Sequence, residues 1–126
     1  MNNSELVRLL KQKAEEQGIV QALYHVFRKN INVQIGFSEG DSASGIDALG
    51  LSVRSYNALC RAGIMTLGEL IARLNEGTLK GIRNLGAKSY NEIQTKMMVY
   101  GFDRLSEREK NNFFLYLAEN NTPKNE

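Results

Sequence analysis

The sequence predicts an all-α fold, a compact bundle of four to five short helices with helical extensions at both ends. The first observation is that Pro123 is the only proline in 126 residues, so no other position forbids helix. The second is that apolar residues recur at helical spacing, and the third is that glycines mark the breaks between these segments. A sequence of this length supports one domain of ordinary size with added helices.

The N-terminal part, residues 1–37, is predicted to be a helical extension. Ser4 is expected to cap a first helix that stops at Gly18, and a second helix follows over about 19–30. In residues 31–37, INVQIGF, apolar residues alternate with polar or small ones, which is the period of a half-buried strand. A single strand has no visible partner here. The segment is therefore either a short strand, an extended segment lying on the core, or an edge that pairs with a second copy.

A linker and a helical core are predicted next. Residues 38–46 are small, acidic and glycine-containing, which is typical of a linker. The core covers residues 47–102. Helical spacing predicts its three main helices at about 53–62, 66–75 and 86–99, with a short turn at 78–82.

The C-terminal part is predicted to form one more helix, over residues 103–120. Ser106 and Glu109, three residues apart, have the pattern of a capping box. The remaining tail, residues 121–126, is expected to fray.

The composition argues against an enzyme, a metal site or a cofactor. One cysteine, Cys60, excludes a disulfide framework and a cysteine-clustered zinc site. One histidine, His25, leaves almost nothing for histidine-based catalysis or metal binding. No stretch approaches the ~20 apolar residues that span a bilayer, and charges interrupt the N-terminal segment where a secretory signal would be apolar. We therefore expect a non-enzymatic cytoplasmic protein without a membrane partner.

The positive charge is concentrated in the middle of the sequence. The formal net charge is only +2, but residues 48–102 carry seven basic and three acidic side chains. The segments on either side each carry one more acidic than basic residue. A mild basic excess usually belongs to a solvated face, yet it shows where an anionic partner would bind.

The motif IRNLGAKSYNEI, residues 82–93, has the pattern of the second half of a helix-hairpin-helix unit. Gly86 is expected to permit close approach and a positive φ, and the N–H groups that open the next helix lack helical partners. Together with the helix dipole they can hold a phosphate oxygen, and Lys88 and Ser89 add a charge and a hydroxyl. Short patterns of this kind are common, so the motif alone is a weak signal.

Arg54 and Asn57 are three residues apart and share a face if residues 53–62 are helical. An arginine suits a narrow, electronegative minor groove, and an asparagine can bond to base-edge acceptors. From spacing alone, both residues also fit the ordinary surface of an amphipathic helix.

Residues from about 47 to 102 resemble the C-terminal domain of the bacterial RNA polymerase α subunit. The resemblance is carried, in order, by LGLSVRSYN, an Ala-Gly-Ile turn, TLGELIARL and RNLGAKSYNEI. It implies two helix-hairpin-helix-like units that dock on the backbone and minor groove of A·T-rich DNA upstream of promoters. In the family the arginine enters the groove, asparagines and backbone amides meet phosphates, and the glutamate orients the basic residues. The DNA-contact positions fall on Arg54, Asn57, Asn84, Gly86, Lys88, Ser89 and Glu92.

The resemblance predicts a stand-alone, nucleoid-associated relative that binds double-stranded DNA in transcription. The alternative is a protein-interaction module that binds transcription regulators or RNA polymerase, with DNA contact secondary. The amphipathic N-terminal extension could support either function, by forming a homodimer or by gripping a partner.

Overall fold

The computed structural model describes residues 2–121, and its regular elements are all helices, which confirms the all-α prediction. No strand occurs within these residues. Of the tail predicted at 121–126, residues 122–126 lie outside the described part. The elements are α1 (Asn3–Gln17), α2 (Ile19–Phe27), α3 (Glu39–Ser42), the 3₁₀ helix η1 (Ile46–Leu49), α4 (Val53–Arg61), α5 (Leu67–Glu76), the 3₁₀ helix η2 (Leu79–Gly81), α6 (Ala87–Asp103) and α7 (Glu107–Asn120).

The protein divides into two compact units. The central unit comprises residues Gln34–Gly101, and the terminal unit joins, among the described residues, 2–33 with 102–121. The N-terminal and C-terminal parts, predicted as separate extensions, therefore form one unit.

The terminal unit is built on helix α1, which packs against both α2 and α7. Its buried side chains recur at helical spacing on each element, as the apolar pattern predicts. Phe102 lies at 5.9 Å and 5.6 Å, between ring centroids, from Phe113 and Phe114. The buried residues of this unit include Leu6, Leu10, Ile19, Ala22, Leu23, Val26, Phe27, Phe102, Phe114, Leu117 and Ala118.

The central unit has its own apolar core, to which α4, α5, α6 and both 3₁₀ helices contribute. Half-buried residues such as Tyr56 and Tyr90 pack against its margin. This core fixes the positions of α4 and the start of α6, which carry most of the predicted contact residues. The core consists of Ile46, Leu49, Ala58, Leu59, Ile64, Leu67, Leu70, Leu79, Ile82, Leu85, Ile93 and Met97.

Side-chain caps define where most helices begin. The predicted capping box of Ser106 and Glu109 is present at α7, since the Ser106 N–H donates to the Glu109 carboxylate at 2.8 Å. The predicted cap of the first helix is wrong by two residues. Asn2, and not Ser4, caps α1, because its side chain accepts the Glu5 N–H at 2.8 Å and completes a capping box.

The short strand predicted as one alternative for residues 31–37 is not present. No neighbouring strand lies beside this segment in the described part of the protein, and Gln34 bonds instead to the side chain of Asn75 at 3.2 Å. Ile35 is buried against Gly101, where an added Cβ would lie 2.8 Å from the Ile35 Cβ. The Phe37 ring contacts the Tyr100 ring edge-on at 5.3 Å between centroids. Residues 34–37 therefore lie on the core as an extended segment.

Residues 38–46, predicted as a linker, are an ordered part of the central unit. Helix α3 packs against α5. The Leu67 N–H donates to the Ser44 carbonyl at 2.9 Å, and the Ile46 N–H donates to the Met65 carbonyl at 3.0 Å. Gly68 on α5 permits this close packing, since a Cβ there would lie 3.1 Å from the Ser42 carbonyl oxygen.

Candidate nucleic-acid interface

An open cleft of about 950 Å³ lies between α4 and the start of α6. All seven residues that the resemblance nominates line it, and three further residues complete its wall. The lining consists of Ser52, Arg54, Asn57, Arg61, Asn84, Leu85, Gly86, Lys88, Ser89 and Glu92.

One wall of the cleft is the exposed face of α4. Arg54, Asn57 and Arg61 are all exposed and lie at positions i, i+3 and i+7, so they share one side of the helix. Ala58 and Leu59, which follow Asn57 along the helix, are buried in the core. The helix is thus held by its apolar face while its polar face borders the cleft.

The turn before α6 forms the floor of the cleft, and it differs from the prediction in one respect. The residue with a positive φ is Asn84, at 68°, and not Gly86. Asparagine tolerates the left-handed region better than most residues, because its short polar side group can bond locally. Gly86 is therefore not required by backbone conformation. A Cβ added there would meet nothing within 4 Å, so the lack of a side group at this position leaves open space at the cleft.

The other wall of the cleft is the first turn of α6. Gly86 precedes the first helical residue, Ala87, and has no side chain with which to cap the helix. Its carbonyl accepts the Tyr90 N–H at 3.0 Å, so the helix begins directly after it. Lys88 is exposed, whereas Ser89 is 7% exposed and borders the cleft from a largely buried position. The partial positive charge at the start of a 17-residue helix is therefore at the edge of the cleft.

Glu92 joins the two walls. One of its carboxylate oxygens accepts the Ser52 N–H at 2.7 Å, and the other accepts the Ser52 hydroxyl at 2.8 Å and the Ser55 hydroxyl at 2.5 Å. Ser52 is the N-cap of α4 and also accepts the Ser55 N–H at 3.3 Å. In a capping box a glutamate of the same helix accepts the N-cap N–H. Here a glutamate of α6 does so for α4.

The hydrogen bonds around Glu92 hold its pKa down. The resemblance implied that Glu92 orients the basic residues, but its hydrogen bonds run to Ser52 and Ser55. The bond from the Ser55 hydroxyl is the main cause that lowers the pKa of Glu92 below its ordinary value, followed by the bonds from Ser52 and the nearby charge of Lys96. The carboxylate thus holds the first turn of α4, the helix that carries Arg54.

Sequence reasoning missed Ser52, Arg61 and Leu85 as lining residues of the cleft. For Arg61 a signal was available, because it lies seven residues after Arg54 on the same helical face. For Ser52 the signal was weaker, since its partner Glu92 is forty residues away. The cleft thus brings together three cations, Arg54, Arg61 and Lys88, around a carboxylate that is already hydrogen-bonded.

Metal-binding clusters and membrane-spanning helices are both absent from the described residues. Residues 2–121 contain no cluster of three His, Cys, Asp or Glu side chains that could hold a metal ion. None of the helices in this range is long and apolar enough to span a bilayer.

Fold and site together define a small helical module with a basic cleft at a helix N-terminus, suited to anions. Residues 39–98 match the family model for the C-terminal domain of the alpha subunit of bacterial RNA polymerase. This match confirms the resemblance of these residues to that family. Because the family is a non-catalytic domain of the polymerase, this module is not an enzyme.

The similar curated proteins are DNA-directed RNA polymerase α subunits. That of Nitratiruptor sp. is 38% identical over 109 residues, covering 81% of this protein and 33% of the relative. That of Symbiobacterium thermophilum is 52% identical over 56 residues, covering 44% and 18%. That of Arthrobacter sp. is 52% identical over 61 residues, covering 48% and 18%. The present sequence thus spans a third or less of these relatives. No solved structure matches it.

Proposed function

We propose that the central unit is a DNA-binding module in transcription that docks on the minor groove and phosphate backbone of A·T-rich double-stranded DNA. The observation that supports it best is the gathering of all seven residues nominated by the family resemblance around one cleft. Arg54 is exposed at the rim, where its guanidinium can enter a narrow groove of high negative potential. Asn57, one turn further along α4, lies where it can bond to a neighbouring acceptor.

The start of α6 supplies the proposed phosphate grip. Since Gly86 has no side chain, a phosphate oxygen can approach the N–H groups of the first turn without obstruction. Lys88 adds a full positive charge, and Asn84 lies in the preceding turn. One module of this size makes few contacts, so the binding should be weak and strongly dependent on salt.

The test is fluorescence-anisotropy titration of the 126-residue protein with an A·T-rich and a G·C-rich duplex, at about 50 mM and 200 mM salt. We expect tighter binding to the A·T-rich duplex, and Arg54→Ala should abolish that preference. Arg8→Ala, an exposed arginine on α1 outside the cleft, removes the same charge and serves as the control. A folded wild-type protein that binds neither duplex at the lower salt concentration would contradict the proposal.

A second proposed function, association with a protein partner, concerns the terminal unit. Tyr24 on α2 and Leu115 and Tyr116 on α7 are 48%, 42% and 53% exposed, although they are large and apolar or aromatic. We propose that this unit forms a homodimer or contacts RNA polymerase or a regulator. A homodimer would present two DNA-binding modules and raise the effective affinity.

Sedimentation equilibrium of the 126-residue protein tests the homodimer. A dimer that is weakened by the double substitution Leu115→Ser and Tyr116→Ser would support self-association. A monomer at all concentrations, together with no retention of purified RNA polymerase on the immobilised protein, would exclude both the homodimer and the polymerase contact.

A further inference from the structure

We propose that Arg61 is an additional phosphate-binding residue, which extends the DNA contact surface beyond the seven positions implied by the family resemblance. This inference rests on the proposed DNA-binding function. Arg61 lines the same cleft as Arg54 and Lys88, and it is exposed there. It is thus a third cation at a site suited to a polyanion.

Arg61 is not engaged by another group within residues 2–121. Among the residues that the structure describes, its guanidinium takes part in no ion pair and no side-chain hydrogen bond. By contrast, Arg73 on α5 donates to the Thr78 hydroxyl at 2.8 Å. An exposed arginine without an internal partner retains its full donor set for a ligand.

The position of Arg61 on α4 favours a phosphate over a base edge. Seven residues of α-helix separate it from Arg54, which corresponds to about 10 Å along the helix axis. The minor groove of B-DNA is only about 6 Å wide, so with Arg54 in the groove a second cation at this distance reaches the bordering backbone. Contacts to phosphates and sugars are also the majority in protein–DNA interfaces.

A purely structural function for Arg61 makes a different prediction. It lies in the last turn of α4, where a cation interacts favourably with the helix dipole. That function would affect the stability of the fold and leave the number of counterions released on DNA binding unchanged. The salt dependence of binding therefore separates the two functions.

The experiment is a salt titration of DNA binding with the 126-residue protein, comparing wild type, Arg61→Ala, Arg61→Lys and the control Arg8→Ala. Circular dichroism verifies that each variant is folded. For Arg61→Ala we expect weaker binding to A·T-rich and G·C-rich duplexes by the same factor. The slope of log K against log salt should become shallower by about 0.9, so the deficit relative to wild type shrinks about 3.5-fold between about 50 and 200 mM salt.

Arg61→Lys should retain the wild-type slope, because a lysine still neutralises one phosphate. Arg8→Ala should also retain it. An unchanged slope in Arg61→Ala, with wild-type protein that binds DNA, would overturn the inference alone. A changed A·T preference in Arg61→Ala would place the guanidinium in the groove and likewise overturn it. Failure of the wild-type protein to bind either duplex would overturn the proposed function as well.

Discussion

Replacing Glu92 by alanine should destabilise the central unit, because one carboxylate holds the N-terminus of α4 against α6. The substitution removes the acceptor of the Ser52 N–H, the Ser52 hydroxyl and the Ser55 hydroxyl. Ser55 is 0% exposed, so its hydroxyl loses a charged acceptor in a place that bulk water does not reach.

The magnitude follows from these bonds. A buried donor left without its acceptor costs about 1–3 kcal/mol. Loss of a helix-capping interaction costs about 0.5–2 kcal/mol. Because Glu92 itself is only half-buried, the lower parts of both ranges apply, and the free energy of unfolding should fall by about 2–3 kcal/mol. For a domain of this size, such a loss lowers Tm by about 10–20 °C.

The assay is thermal and urea-induced unfolding of the 126-residue protein, followed by far-UV circular dichroism. Glu76→Ala, an exposed glutamate on α5, is the matched control and should change the free energy of unfolding by less than about 0.5 kcal/mol. A double-mutant cycle of Glu92→Ala with Ser55→Ala should give a coupling energy of about 1 kcal/mol or more. Strict additivity of the two substitutions, or a Tm within about 2 °C of wild type, would refute the role assigned to Glu92.

The remaining predictions concern pH and three further substitutions, measured by the same unfolding assay and, for Asn84→Gly, also by DNA binding. The pKa of Glu92 is lowered in the folded state, chiefly by the Ser55 hydroxyl. As the pH falls, the Glu92 carboxylate is therefore protonated in the unfolded protein before it is protonated in the folded protein. This stabilisation is complete above the ordinary glutamate pKa of about 4.3 and is lost as the pH falls through the lower pKa of the folded state. In Glu92→Gln the free energy of unfolding should therefore decrease less steeply as the pH falls. Gly101→Ala should destabilise by about 1–3 kcal/mol, because the new Cβ would lie 2.8 Å from the Ile35 Cβ, whereas Gly36→Ala, with nothing within 4 Å, should be close to neutral. Asn84→Gly should retain stability, because glycine adopts the φ of 68° freely, and should weaken DNA binding in the anisotropy assay. Ser106→Ala should cost about 1 kcal/mol through loss of the α7 cap, and no change would contradict the capping assignment.

Local patterns were sufficient to predict most of the helices. The capping box at Ser106 and the glycine after α1 are encoded within a few residues, so α7 and the end of α1 could be placed from sequence. The strand alternative for residues 31–37 rested on a period of two, which is the same for a strand and for an extended segment packed on a helix. Only the packing of Ile35 against Gly101, far away in the sequence, decides between them.

The candidate site was predictable as a set of residues but not as a geometry. The family motif nominates Asn84 and Gly86, yet it does not reveal that Asn84 adopts the positive φ. The bonds of Glu92 to Ser52 and Ser55 join segments that sequence spacing cannot relate. Likewise, the union of α1, α2 and α7 in one unit depends on packing between the N-terminal and C-terminal parts.

The absence of a side chain at Gly86 sets the stability of helix α6 against the access of a phosphate to its first turn. Helices α1, α3, α4, α5 and α7 begin at residues whose side chains accept a backbone N–H. A serine or aspartate at position 86 would fit sterically and would give α6 the same cap. That internal acceptor would also compete with a phosphate for the same N–H groups. Selection for thermal stability alone would therefore tend to replace Gly86, and selection for DNA binding would retain it.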